Sequence, residues 1–527
     1  MNTMKQNQTS IRQLPFWPWI KQRWPMILML GILVGVVYLN TLDNEFVSDD
    51  IAAIQLNPRL DNIHQLIGSP IAAVSGLSRF VIFKLFGAWP LPFRLTNIIF
   101  HLANVVLIYF VIELLLNHKV ALITATLFAV HPIQTESVTW ISGGFSTYSS
   151  FFVLISLIFF IKSTNQKFRA KQYCLSLLAF FIGMGFWEKN MGYPAILVGY
   201  LFAYQRLKKH WSKILPFFGI SLIWIIIYVS MIPQRIGSLS VQYSNQVEMA
   251  NPLVQIPVAL SSYVELIAFP KDLTLYHSDL NMTKQKFAVR VAITLSLIAL
   301  FVYGLFKNRQ LSLWLGFFVV ALSPTLTPFG ISSVVAERYV YLGTLGIYVL
   351  IALGLDKVLD RINNAEGRQL AIFGWGILVV LLMGRSIIRN QDWQNQDTLW
   401  LAAGKTSPNS AQNNNNLGDY YGRYGNTEMA IYHFKRAIEL NPQYADAHHN
   451  LANTYVALGE FELALENYQK AAQLNPNLWQ SYQQMAAVYY HLGNTEKALE
   501  NINQALTIYP ENQVLTEQKA IILDQDE

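Results

Sequence analysis

Apolar runs of membrane-crossing length alternate with short polar joints over most of the chain. They cover residues 25–42, 95–116, 120–141, 145–161, 173–187, 191–205, 214–231, 289–306, 311–328, 339–355 and 370–388. A bilayer core asks for about 20 apolar residues of helix, and most of the runs approach that, 173–187 and 191–205 being short. The pattern therefore predicts an all-α polytopic membrane bundle of about eleven spans. Two further apolar stretches do not fit as crossings. Residues 71–86 are interrupted by Ser75, Gly76, Ser78, Arg79 and Lys84, as in a helix lying in the interface. Residues 252–269 are excluded by parity, because Lys307 and Arg309 set the next run's exit on the inner side. That stretch is expected to be an external or re-entrant helix.

From Asn390 the pattern changes to a repeat. Leu417, Leu451 and Met485 recur every 34 residues, as do Gly425, Gly459 and Gly493, and Pro408, Pro442, Pro476 and Pro510. Small residues, a turn glycine and a closing proline at this period describe paired helices of the tetratricopeptide type. The expected organisation is a membrane domain at 1–388 with an external loop at 43–93, a junction at 389–408, and three repeats plus a closing helix at 409–527. Repeats of this kind supply a binding surface and not chemistry.

Composition refines the picture. The chain is 53% hydrophobic and 13% charged, so most of it faces lipid. Its net charge of +6 comes from basic residues at the ends of apolar runs, such as Lys162, Lys167, Arg169, Lys208 and Lys209. These orient a membrane protein and give no reason to expect a nucleic-acid partner. Lys5, Arg12, Lys21 and Arg23 precede the first run, which reads as a retained signal anchor with a cytoplasmic N-terminus. An odd number of spans then puts the repeats on the opposite side. Cys174 is the only cysteine and admits no intrachain disulfide.

On this topology the unusual polar residues collect at the outer face. They are Asp49 and Asp50, His131, Gln134 and Glu136, Glu188 and Lys189, Tyr276 and His277, and Glu337, Arg338, Tyr339 and Tyr341. Adjacent carboxylates at a membrane edge hold a cation or substrate, or share a proton; alternatively they cap the helix that follows. His131-Pro132 reads as a site or as a kink. Glu188-Lys189 reads as a site or as a snorkelling ion pair, and Glu337-Arg338-Tyr339 as a site or a helix anchor. Glycosyl transfer from a membrane lipid would use such a face: a carboxylate base, Asp49, with Asp50 orienting the acceptor or holding a cation. Arg338 and Lys189 would stabilise the departing phosphate, with Glu188, His131, Glu136, Tyr339 and Tyr276 as further substrate contacts.

Specific motifs bear on the choice. Phe93-Arg94-Leu95-Thr96-Asn97, His101-Leu102-Ala103-Asn104, Phe128-Ala129-Val130-His131-Pro132-Ile133-Gln134-Thr135-Glu136-Ser137-Val138 and Glu337-Arg338-Tyr339-Val340-Tyr341-Leu342 follow one another in this order. Together with the junction 389–400 they resemble the transmembrane and tetratricopeptide-repeat protein family over nearly the whole chain. The resemblance implies an inverting GT-C glycosyltransferase that takes a sugar, typically mannose, from a polyprenyl phosphate and places it on Ser or Thr of a protein. It also implies that the acidic pair Asp49-Asp50 is catalytic. The chain departs from the family pattern at Gly144-Phe145-Ser146, where a basic residue and an acid are usual, and at Arg79-Phe80, where a proline usually follows the arginine. A divalent cation, Mg or Mn, is compatible with the acidic pair but not required by it. Short loops and a compact array favour a bacterial inner membrane with periplasmic repeats. Two other readings stand beside this one: a non-enzymatic scaffold for envelope assembly, and a GT-C enzyme acting on a glycolipid or polysaccharide.

Overall fold

The computed structural model describes residues 14–57, 60, 73–165, 168–243, 251–275, 277, 282–326 and 333–524. Tyr276 lies outside them. The membrane part begins with α1 (Phe16–Tyr38), α2 (Ala73–Phe86), α3 (Pro90–Leu115) and α4 (His118–Val130). After the short α5 (Thr135–Thr139) come α6 (Phe145–Thr164), α7 (Ala170–Phe186), α8 (Tyr193–Ala203), the single turn α9 (Leu207–His210) and α10 (Leu215–Tyr243). The remainder is α11 (Pro252–Ala268), α12 (Lys284–Lys307), α13 (Arg309–Leu322), α14 (Thr344–Arg361) and α15 (Ala365–Gln391).

Each expected span contains a helix, and among the described residues six helices, α1, α3, α6, α10, α12 and α15, carry a stretch long and apolar enough to cross by itself. The others are shorter or carry charge near an end. The 120–141 run is the clearest case. Pro132 disfavours helix at His131, whose backbone is extended (φ −73°, ψ 128°), so α4 stops at Val130 and a separate turn follows. That break makes 131–144 a series of short turns around α5 at one end of the bundle. Such chain needs internal partners at membrane depth, and neighbouring helices supply them. Asn97 of α3 donates to the carbonyls of Val138, Trp140 and Ile141, and its own oxygen accepts from Tyr148.

Gly144 is packed so closely there that a methyl group on its Cα would overlap the Asn97 carboxamide. Gly144→Ala must push aside a residue held by four partners. It is expected to destabilise the membrane domain by about 1–3 kcal/mol, read as a lower thermal midpoint of the purified chain. An unchanged midpoint would mean that this turn yields.

The opposite end of the bundle is tied by charge. Glu113, buried on α3, accepts from the indole of Trp19 (3.0 Å) and from Arg23 (2.7 Å) of α1.

The repeat array comprises the helix pairs α17/α18, α19/α20 and α21/α22, preceded by α16 and closed by α23. Their ranges are α16 Gln396–Thr406, α17 Ala411–Arg423, α18 Thr427–Leu440, α19 Ala445–Ala457, α20 Phe461–Leu474, α21 Trp479–His491, α22 Thr495–Ile508 and α23 Gln513–Asp524. The repeat glycines Gly425, Gly459 and Gly493 all take positive φ (74–76°) in the turn within each pair, a conformation that costs other residues more. One feature extends the expected pattern. Trp400, Phe434, Tyr468 and Ile502 lie 34 residues apart and are all buried, and so are Ala403, Ala437, Ala471 and Ala505. Helix α16, within the expected junction, therefore occupies the register of the second helix of a repeat. It belongs to the stack and also packs on the membrane domain: Leu399 and Trp400 share a buried cluster with Val47, Trp140, Leu275 and Trp393.

Candidate active site

The acidic loop is held in place before any chemistry is considered. Arg94, buried on α3, donates to the carbonyls of Asn44 (2.6 Å), Glu45 (2.9 Å) and Thr139 (3.1 Å). One guanidinium thus fastens the loop to the 131–144 segment. From the other side, Glu45 N–H donates to the Gln394 carbonyl (2.8 Å) and the Asn44 amide to the Trp393 carbonyl (3.0 Å). Asn390 receives a hydrogen bond from Thr139 (2.9 Å) and donates to the Val37 carbonyl (2.6 Å). The loop that carries the acid pair and the segment that carries the repeats are therefore in direct contact.

Within that frame the two carboxylates differ. Asp50 is fully buried, and its Oδ1 accepts from the Ser142 N–H (2.8 Å) and hydroxyl (2.5 Å), while Oδ2 faces the Val47 N–H at 3.4 Å. Burial pushes its pKa up to about 6, against the lowering effect of the Ser142 bonds, Val47 and the Arg94 charge. Asp49 is exposed. It follows Ser48, a non-glycine residue in the left-handed region (φ 53°), a conformation that is held at a cost. The charge of Asp49 acts on two guanidiniums, Arg338 and Arg79.

Arg338 is flanked by the rings of Trp140 (5.2 Å) and Tyr339 (4.9 Å) and pairs with Glu136. Glu136 is fully buried and also accepts the Arg338 backbone N–H (2.9 Å). Burial opposes the Arg338 charge, but Glu136, Tyr339 and Asp49 more than offset it and keep the group ionised. Its side chain retains 23% exposure and its charge is intact. Next to it, Glu337 is fully buried and takes Thr274 N–H (2.6 Å), Arg389 (3.3 Å) and the ring of His277 (3.6 Å). Arg389 also pairs with Asp392 at 2.8 Å, carrying the charge network to the base of the repeats.

The expected site residues thus divide. Asp49, Asp50, Glu136, Arg338 and Tyr339 form one cluster. Lys189 and Glu188 sit beside it, reached through Trp187, whose ring lies 6.3 Å from that of Tyr339. Lys189 donates to the Tyr228 hydroxyl (3.2 Å) and lies over that ring. His131 is not part of the cluster: its Nδ1 accepts from Ile133 N–H (3.2 Å) and its Nε2 faces the Ile267 carbonyl (2.9 Å). Both nitrogens are used in fixing the kink against α11, the structural alternative for His-Pro. Arg79, Arg94, Ser142, Trp140 and Arg389 were not among the expected site residues. Arg79 stacks on Phe145 at 4.4 Å and makes one long bond to Ser142 (3.4 Å), leaving donor capacity next to the acid pair.

The acid pair does not suit a metal ion. Asp50 has both oxygens turned to N–H and O–H donors, and two guanidiniums already answer the negative charge. Among the described residues, no three His, Cys, Asp or Glu side chains gather as a ligand set.

Comparison with known proteins bears on the kind of domains present. The family model for dolichyl-phosphate-mannose-protein mannosyltransferases matches residues 79–232, which include Arg79, Arg94, Glu136, Ser142 and Lys189. Tetratricopeptide-repeat models match 418–459, 445–478 and 479–512. Human protein O-mannosyl-transferase TMTC3 is 25% identical over 473 residues, covering 78% of this chain and 51% of that protein. Human protein O-mannosyl-transferase TMTC1 is 23% identical over 492 residues, covering 77% and 54%. The Caenorhabditis elegans protein O-mannosyl-transferase F38B6.6 is 22% identical over 456 residues, covering 79% and 63%. The chain spans about half the length of the first two. Among solved structures, the Archaeoglobus fulgidus oligosaccharyltransferase aligns with a TM-score of 0.38 and 11% identity, over 77% of this chain and 60% of that one. MamA aligns with a TM-score of 0.23 and 22% identity, over 25% and 76%. Over most of its length the chain is thus similar to curated protein O-mannosyl-transferases, with a match to a mannosyltransferase family model in its membrane part and to tetratricopeptide-repeat models after it.

Proposed function

We propose that the chain is a membrane mannosyltransferase. It takes the sugar from a polyprenyl-phosphate carrier and places it on a Ser or Thr hydroxyl of a protein presented by the repeats. The observation that carries this reading is the exposed carboxylate of Asp49, whose charge acts on the guanidiniums of Arg79 and Arg338, on a loop that touches the segment leading into the repeats. In the proposed step, Asp49 accepts the proton of the acceptor hydroxyl as its oxygen bonds to the anomeric carbon. The bond from that carbon to the phosphate oxygen breaks, and the phosphate leaves with the electron pair. Arg338, and Arg79 across from it, meet the charge that develops on the phosphate. A single displacement of this kind inverts the anomeric centre. Lys189 lies beside the cluster, buried against Tyr228, and adds positive charge on the side where the anionic lipid would sit, its tail in the bilayer. The proposed setting is a bacterial inner membrane with site and repeats in the periplasm.

The test is reconstitution. Purified chain is incubated with mannosyl polyprenyl phosphate and an unstructured Ser/Thr polypeptide, and the polypeptide's mass is then read. A gain of one hexose on Ser or Thr is expected. Transfer to a glycolipid in the same vesicles, with none to polypeptide, would replace the acceptor class; no transfer at all would leave the scaffold reading.

A further inference from the structure

At the end of the bundle away from the acid pair, four helices leave a groove open to their surroundings. α14 and α15, joined by residues 362–364, both pack on α4, and α1 packs on α4 and α15. A space of about 620 Å³ remains among the four. Its lining positions follow helical spacing: Arg368, Ile372, Trp375 and Val379 on α15, and Lys119, Ile123 and Thr126 on α4. Residues three or four apart share one face of a helix, so the groove runs parallel to the helix axes. In a bilayer that is the direction of the acyl chains.

The groove has two unlike parts. One end, built from the first turns of α4 and α15 and the last turn of α14, holds Lys119, Arg368, His118 and Asp360. The remainder is apolar apart from Thr126, with Leu33 of α1 and Leu355 of α14 in its walls. From Arg368 to Val379 the helix rises about 16 Å. That is about half of a 30 Å hydrocarbon core, the depth of one leaflet. Ile372 at the rim is 61% exposed, so the channel opens toward lipid, and an unfilled apolar channel forfeits the contacts its walls could make.

The polar end favours an anion. Lys119 faces Asp360 at 3.5 Å and Asp356 at 3.9 Å, and Asp356 also accepts from the Asn117 amide (3.1 Å). The His118 ring is engaged by the Tyr109 hydroxyl (2.8 Å). Among the described residues Arg368 has no carboxylate partner: its Nε donates to the Ile362 carbonyl (2.9 Å), which leaves the two terminal nitrogens of the guanidinium. A fork of donors at the mouth of a leaflet-deep apolar channel matches a phosphate joined to an acyl chain.

We infer that this groove binds one acyl chain of an anionic membrane phospholipid, with the phosphate on Arg368 and Lys119 alongside. The site lies at the other end of α4 and α15 from the acid pair and does not depend on the transferase reading. α15 connects the two ends. Beyond the groove it carries Ser386, which donates to the Val130 carbonyl (2.7 Å), and Arg389, which pairs with Glu337 (3.3 Å). A chain seated in the groove therefore braces the helix on which the buried charge network is mounted.

The test is native mass spectrometry of the full chain, stripped of lipid in detergent and then given phosphatidylglycerol or phosphatidylcholine with the same acyl chains. The unaltered chain is expected to retain one phosphatidylglycerol about fivefold or more better than phosphatidylcholine, the preference that one cation gives near a membrane surface. Arg368→Gln should abolish that preference with helical content unchanged. Gly376 also lines the groove, and a side chain added there meets no atom within 4 Å. Gly376→Leu therefore fills the channel while replacing a poor helix former with a good one, and both lipids should be retained severalfold less. Equal retention of the two lipids by the unaltered chain, or retention of neither, overturns the inference without reference to any variant. A preference that survives Arg368→Gln overturns the placement of the phosphate, and undiminished retention by Gly376→Leu overturns the groove as the place of the chain.

Discussion

Asp49→Asn is expected to lower sugar transfer by about a thousandfold while the fold and the junction stay as they are. A general base contributes on the order of 10²–10⁴ in rate, and asparagine keeps the shape but cannot take the proton. The structure makes this substitution unusually clean. Asp49 is exposed, whereas its neighbour Asp50, Arg94 and Asn44 carry the bonds that hold the loop. A loss of rate without a change in thermal midpoint therefore reports chemistry. The measurement is hexose transfer to the Ser/Thr polypeptide by equal amounts of folded protein. Transfer within a fewfold of the unaltered chain would remove Asp49 from the role of base. A fall in rate matched by loss of the midpoint would make the residue structural instead.

What the sequence discloses about this arrangement depends on how far apart the partners are. Helix positions follow from apolar runs, and the repeats from a period of 34, because both patterns are local or regular. The acid pair stands out because two adjacent carboxylates are unusual near a bilayer. Partnerships across the chain leave no such mark. His131 reads as a site residue from its neighbours, but the group that engages it is the Ile267 carbonyl, 136 positions away. Glu136 reads as a substrate contact, yet it is committed to Arg338, 202 positions away. Arg94 and Asn97 belong to quoted motifs, but nothing nearby says that they bond to the acidic loop and the 131–144 turn. Helix α16 was legible in principle: Trp400 and Ala403 fall in register with the buried positions of the repeats. A domain boundary placed at Pro408 hides them. The break in α4 could also be read, since Pro132 disfavours helical backbone at His131, but an apolar run of the right length outweighs one proline in a count of spans, and Pro25, Pro233 and Pro257 do lie inside helices.

Asp50→Asn is the second substitution with a large expected effect, and its two consequences have opposite signs. Burial holds the Asp50 pKa near 6, above the ordinary 3.8 of an aspartate. A carboxyl whose pKa is raised on folding binds its proton more tightly in the folded state. Stability therefore falls as pH rises from about 4 to about 6, and the full cost of a buried charge is present above that. At about 1.4 kcal/mol per pKa unit the cost is about 3 kcal/mol at pH 7.5. Asparagine resembles the protonated acid and still accepts from Ser142, so the variant should melt several degrees higher at pH 7.5 and no higher at pH 4. Activity should move the other way. Without the Asp50 charge, Arg79 loses the counter-charge that acts on it most strongly, and the Ser142 turn is held less firmly. A loss of about tenfold or more is expected at neutral pH. The same reasoning predicts an acid limb in the unaltered chain, with activity falling below about pH 6 as Asp50 takes up its proton. That limb should be absent in the variant and should shift to higher pH in Ser142→Ala, which removes one of the bonds favouring the charged form. An Asp50→Asn protein that melts no higher at pH 7.5, or that keeps the acid limb, would show that the buried carboxylate is neither costly to the fold nor tied to the reaction. A group that costs stability where the enzyme would work, and that is bonded on one side to the 131–144 turn and on the other to the acidic loop, is kept for what it positions: the exposed carboxylate one residue before it.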